Sequence, residues 1–145
     1  MAKRTVDELL ADARGRLPGR VRPEDLAVAI ADGALVVDTR SEAQRRQDGE
    51  LPGAVVVERN VLEWRLDPAS PHRLDEAGDR ERPIVIVCNE GYASSLAAAS
   101  LQELGLVNAT DLDGGYQAWR RSLRICDGYA VTDPQRTGAR RQTGS

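Results

Sequence analysis

Short apolar runs alternate with amphipathic stretches along this chain, in the rhythm of strands and helices taking turns. Thr5 precedes Val6, Leu9, Leu10 and Ala13, which share one helical face, and Glu8 stands at the capping-box position. Gly15 and Pro18-Gly19 close that helix. Arg22-Pro23-Glu24-Asp25 opens a second, with Leu26, Ala29 and Ile30 on one side and Asp32-Gly33 at its end. Leu35 to Asp38 reads as a strand, Ser41 to Arg46 as a short charged surface helix, and Ala54 to Val57 as the next strand. Residues 58–82 are polar and irregular, anchored by Trp64 and Leu66 and broken by Pro68, Pro71 and Gly78. Ile84 to Cys88 is a central strand, and residues 94–106 a helix with Leu96, Leu101 and Leu104 inward and Gly105 near its C-cap. A short strand, Ala109 to Leu112, and a helix, Tyr116 to Leu123, complete the pattern. Such alternation predicts an α/β fold with a parallel sheet wrapped by helices.

Chemistry concentrates at Cys88. A run of β-branched residues reads as a strand buried on both faces, and its carboxyl end is where open α/β sheets bind ligands. The stretch Asn89-Glu90-Gly91-Tyr92-Ala93-Ser94 follows as a tight loop before the helix. Unpaired N–H groups and the positive end of the helix dipole favour a thiolate there. A buried cysteine ending a core strand is the plain alternative, since free cysteine behaves as a small hydrophobe. Gly91, free to take a positive φ, and Ser94 or Ser95, expected as an N-cap, favour the functional reading.

With these residues in view, the sequence resembles the rhodanese-type sulfurtransferases. Cys88-x-x-Gly91 is similar to the family's active-site loop, and Leu35-Val36-Val37-Asp38-Thr39-Arg40 to its strand ending in Asp-x-Arg. Gly49-Glu50-Leu51-Pro52-Gly53-Ala54 resembles its G-H-I-P-G-A turn, with Glu50 in place of the usual histidine. Leu112-Asp113-Gly114-Gly115-Tyr116-Gln117-Ala118-Trp119 resembles its L-x-G-G-x-x-A-W signature. The resemblance covers residues 21–124 as one domain, with 1–20 a helical extension and 125–145 a flexible basic tail. It implies a parallel sheet of about five strands flanked by helices, the active-site loop lying between the central strand and its helix. It also implies transfer of a sulfane sulfur from thiosulfate or another persulfide donor to a thiol acceptor, through a Cys88 persulfide and without a metal or organic cofactor. The acceptor could be a protein.

Two other readings stay open beside it. A cysteine-dependent phosphatase loop resembles Cys-x5-Arg, whose arginine grips phosphoryl oxygens bidentately. Here the sixth position after Cys88 is Ser94, and the loop holds no arginine. The other is a non-enzymatic sulfur-carrier or regulatory binding module; a catalytically silent binding module would ordinarily have lost the cysteine.

Composition narrows the setting. A chain of 145 residues suits one domain with a real core. The net charge of −3 argues against nucleic-acid binding, and no apolar stretch is long enough for a membrane span. The charged start carries no apolar signal core, so the cytoplasm is the expected location. Two cysteines are no disulfide framework, and one histidine argues against structural zinc. Nineteen arginines to one lysine fit a GC-rich bacterial genome. Residues 120–145 hold six arginines against Asp127 and Asp133, as a solvated basic terminus would.

Remaining candidates are weaker. Asp38 and Arg40 suit either a structural ion pair or substrate contact. Arg59 and Arg65 flank the site in the irregular segment and could attract an anionic donor. His72 reads as a bystander, and a role for Cys126 in resolving a persulfide as a disulfide is the less favoured reading of that residue. Glu90, an acid inside the loop, is expected to oppose a dianionic donor.

Overall fold

The computed structural model describes residues 3–126, excluding the side chains of Ile125 and Cys126. The basic tail and any resolving role for Cys126 lie outside the described residues. Four parallel strands form one sheet in the order β2-β1-β3-β4: β1 Leu35–Asp38, β2 Val55–Val56, β3 Ile84–Val87 and β4 Ala109–Asp111. A single parallel bridge between Val21 and Leu112 adds one further rung beyond β4. From β1 the chain moves outward to β2, and from β3 it moves the other way to β4. The gap between the carboxyl ends of β1 and β3 is thus the switch point, where such sheets open a crevice.

Alternation along the strands divides the core in two, because successive side chains point to opposite faces. Leu35, Val37, Ile84 and Ile86 face one layer with Leu62, Leu66, Ala97, Ala98 and Leu101. Val36, Val85 and Val87 face the other with Leu26, Leu112 and Tyr116. Six helices surround the sheet: α1 Val6–Gly15, α2 Leu26–Ala31, α3 Glu42–Asp48, α4 Leu62–Leu66, α5 Ala93–Glu103 and α6 Gly115–Cys126. The capping box of α1 forms as its sequence predicts, Thr5 and Glu8 each satisfying the other's backbone N–H.

Three expectations are corrected. Residues 58–82 are not wholly irregular, since α4 lies within them, and Leu62 and Leu66 on one face are fully buried. Trp64, turned from that face, is 59% exposed and anchors nothing. On α5 the small residues Ala97 and Ala98 carry the contact with the sheet together with Leu101, while Leu96 is half-buried.

Candidate active site

The backbone around Cys88 curls about its sulfur. Gly91 and Ser94 both donate their N–H groups to Cys88 Sγ, at 3.2 and 3.3 Å. This corrects the expectation that Ser94 or Ser95 caps α5. Both serines lie inside the helix, and the N-cap residue, Tyr92, makes no side-chain cap bond. The sulfur occupies the acceptor place that a capping side chain usually fills. The serine hydroxyls instead donate to Asp111 Oδ2 at 2.7 and 2.8 Å, tying the first turn of α5 to the end of β4.

The curl depends on the double glycine at the start of α6. Gly91 adopts φ +88°, and a β-carbon on Gly115 would stand 2.6 Å from the Cys88 carbonyl oxygen. Only a bare backbone fits there. From that close position Tyr116 N–H donates to the Cys88 carbonyl at 2.9 Å, and Gln117 N–H to the Asn89 carbonyl at 3.1 Å. With these carbonyls drawn toward α6, loop N–H groups are free to face the sulfur, forming the kind of nest that holds an anion.

A cleft of about 420 Å³ opens above Cys88, lined by Thr39, Arg40, Gln44, Arg59, Asn89, Glu90, Tyr92 and Ala93. Thr39 and Arg40 follow β1 and the loop follows β3, so the crevice lies at the switch point. Cys88 is 8% exposed and lines this opening. Asp38 and Arg40 form a buried pair, 2.8 Å between Nη2 and Oδ2, and Arg40 also donates to the Gly49 carbonyl. The Arg40 guanidinium stacks 3.7 Å over the Tyr116 ring. Of the two readings for this pair, the geometry favours the structural one: it fastens the turn at Gly49 and α6 to the sheet.

The flanking arginines part company. Arg59 reaches the cleft but is held by Glu63 through two bonds of 3.1 Å. Arg65 does not line the cleft; it donates to the His72 carbonyl at 2.6 Å within the irregular segment. His72 is exposed there and takes no part in the cleft. Glu90 is exposed at the rim and has no ion-pair partner among the described residues. Among the described residues, no group of three or more His, Cys, Asp or Glu side chains is placed to hold a metal ion.

Sequence reasoning missed Thr39 and Gln44 on the cleft wall. It also missed Asp111, and Arg14 and Arg20 behind the loop. Thr39 lies at the middle position of the Asp-x-Arg motif, which is its local signal, whereas the others carry none.

The model of the rhodanese-like domain matches residues 22–122. Thiosulfate sulfurtransferase GlpE of Pseudomonas savastanoi pv. phaseolicola is 33% identical over 101 residues, covering 70% of this chain and 86% of that protein. A solved structure from Rhodopseudomonas palustris CGA009, a protein of unknown function described as a possible tyrosine phosphatase, superposes with a TM-score of 0.74 at 28% identity; the match covers 84% of this chain and 93% of that one. A human single-domain sulfurtransferase superposes with a TM-score of 0.57 at 26% identity, covering 69% and 93% of the two chains.

Proposed function

This chain belongs to the rhodanese-like domain family, and from that premise we propose that it is a sulfurtransferase working through a persulfide on Cys88. The observation that carries the reading is the pair of N–H groups directed at Sγ at the mouth of an open cleft. In the first step the Cys88 thiolate attacks the outer sulfur of a donor such as thiosulfate. The donor's S–S bond breaks, its electron pair leaves on sulfite, and a Cys88 persulfide remains. In the second step an acceptor thiolate, or cyanide in an assay, attacks the outer sulfur and releases the Cys88 thiolate. Dividing the transfer in this way gives ping-pong kinetics. The nest of N–H groups stabilises negative charge on either sulfur without reorganising between steps.

The remaining assignments follow from this chemistry. Asn89 to Ser94 supply the cradle, Asp38 and Arg40 hold its surroundings, and Arg59 contributes positive charge at the wall. A reducing cytoplasm would keep Cys88 and a thiol acceptor, small or protein-borne, ready to react. No helix among the described residues is long and apolar enough to cross a membrane.

The likeness to a possible tyrosine phosphatase favours weighing phosphoryl transfer as a second reading. Against it, Ser94 at the sixth position has its N–H on Sγ and its hydroxyl on Asp111, and the loop holds no arginine to grip phosphoryl oxygens bidentately. Intact-protein mass spectrometry after thiosulfate treatment should detect one added sulfur, mapped to the Cys88 peptide and lost in Cys88→Ser. Hydrolysis of p-nitrophenyl phosphate with no sulfur uptake would replace this reading with the phosphatase one. Absence of both activities, with Cys88 reduced, would favour the binding module.

A further inference from the structure

Behind the loop, opposite the cleft, two guanidinium groups converge on one carbonyl. Arg14 Nη2 donates to the Gly91 oxygen at 2.8 Å and Arg20 Nη2 to the same oxygen at 3.0 Å. Arg14 Nε also donates to Ser95 Oγ at 3.0 Å, while Arg20 Nε meets Asp111 Oδ1 at 2.8 Å. Asp111 is fully buried and accepts from Ser94 and Ser95 as well, so arginines, carboxylate and serines form one truss beneath the first turn of α5. Both arginines precede the residues matched by the family, 22–122, and so belong to what this chain adds to the domain.

The added segment is held firmly. Ala13 of α1 is buried, and Thr110 Oγ1 donates to the Gly19 carbonyl at 2.6 Å. Val21 and the end of β4 exchange backbone bonds of 2.9 and 2.8 Å. Arg14 and Arg20 are therefore delivered to the loop by a packed helix and a pinned strand-like segment.

We propose that Arg14 and Arg20 are positioning residues of the sulfur-transfer site, clamping the Gly91 carbonyl so that the loop's N–H groups face Cys88 and their charge favours the thiolate. This rests on the sulfurtransferase reading above. A trans peptide sets the Tyr92 N–H antiparallel to the Gly91 carbonyl, so a clamp from behind turns that N–H away from the arginines. The two arginines differ in charge balance. Arg20 is offset by Asp111 and Asp113, whereas Arg14 has no carboxylate partner among the described residues. Burial works against the Arg20 charge, yet its hydrogen bond to Asp111 and attraction to Asp111, Asp113 and Cys88 hold its pKa above the ordinary value. Arg14 is the uncompensated charge of the two among the described residues.

The test is the pH profile of Cys88 alkylation by iodoacetamide in the full chain, a reaction that needs no sulfur donor and so is independent of the proposed activity. Arg14→Met should move the midpoint to higher pH and slow alkylation at about pH 6.5 by about threefold or more. Its kcat/KM for sulfur transfer should fall about tenfold, mainly through kcat. Arg14→Lys, which restores charge without the fork, should recover the midpoint but only part of kcat. Arg20→Lys should behave likewise; if it does not fold, the Arg14 variants decide alone. An Arg14→Met protein that loses thermal stability but keeps the wild-type alkylation profile would reduce the residue to a structural one and overturn the proposal. A shifted profile with no sulfur transfer in any variant, wild type included, would instead remove the functional reading and leave the clamp standing.

Discussion

Gly91 and Gly114 approach so closely that a β-carbon on Gly91 would lie 2.6 Å from the Gly114 nitrogen. Position 91 therefore excludes side chains twice, by its positive φ and by the backbone packed against it. Gly91→Ala should cost on the order of 1–3 kcal/mol in strain. Activity should fall further than stability, because the loop relieves the clash by moving N–H groups off the sulfur. Urea unfolding and sulfur-transfer assays on the same preparation test this, and equal losses in both would show that the curl has no catalytic share.

Glu90 places an unpaired carboxylate at the rim of the cleft that an anionic donor must enter. Replacement by Gln and then by Lys should lower the KM for thiosulfate stepwise, by about two- to tenfold in all at low salt. The gain should shrink as salt rises. A flat series across the three proteins would mean that donor choice is set elsewhere.

Breaking the buried ion pair should be costly. Asp38→Asn leaves the Arg40 guanidinium enclosed with no counter-charge, and stability should drop by about 3–5 kcal/mol in urea titrations. The double variant Asp38→Asn with Arg40→Met should recover part of that loss. Failure to recover would point to the hydrogen bond from Arg40 to the Gly49 carbonyl as the dominant contribution.

Acid stability should depend on Glu63. Its partial burial opposes the charge, but bonds from Ser100 and Arg59 outweigh this and hold the carboxyl below the usual range. A depressed folded-state pKa means that the folded protein binds fewer protons than the unfolded chain, so the contribution is intact above the unfolded value of about 4.3 and is lost as pH falls through the folded one. Glu63→Gln should flatten the acid limb of a stability–pH curve, and an unchanged limb would refute the assignment.

What the sequence disclosed and what it hid follow a physical line. The strands and the Cys88 loop were legible because β-branched runs and a glycine free to take a positive φ leave local marks, whereas the double glycine entered only through its resemblance to a family motif. Helix α4 was obscured by its five-residue length, although Leu62 and Leu66 carried its spacing. Arg65 looked like a site residue from proximity in sequence, yet α4 turns it toward His72. Arg14 and Arg20 meet Gly91 across separations of 77 and 71 residues, and a hydrogen bond at that range imprints no periodicity on either end. The serines were noticed for the wrong reason, since their partner, Asp111, comes from a different strand.

The placement of Cys88 directly after the central strand divides the site into a part that cannot easily change and a part that can. Strand β3 is paired on both sides, by β1 and β4, so the sulfur stands at the end of a strand held from two directions. The facing wall is built differently: Gln44 comes from a seven-residue surface helix, and Arg59 from a short turn after an edge strand of two residues. Substitutions or insertions there would reshape the entrance without disturbing the nucleophile. Donor preference in this scaffold is therefore open to redesign at the cleft-facing residues of α3 and in the β2–α4 connection, with Asp38, Arg40 and Gly49 kept to hold the loop's surroundings.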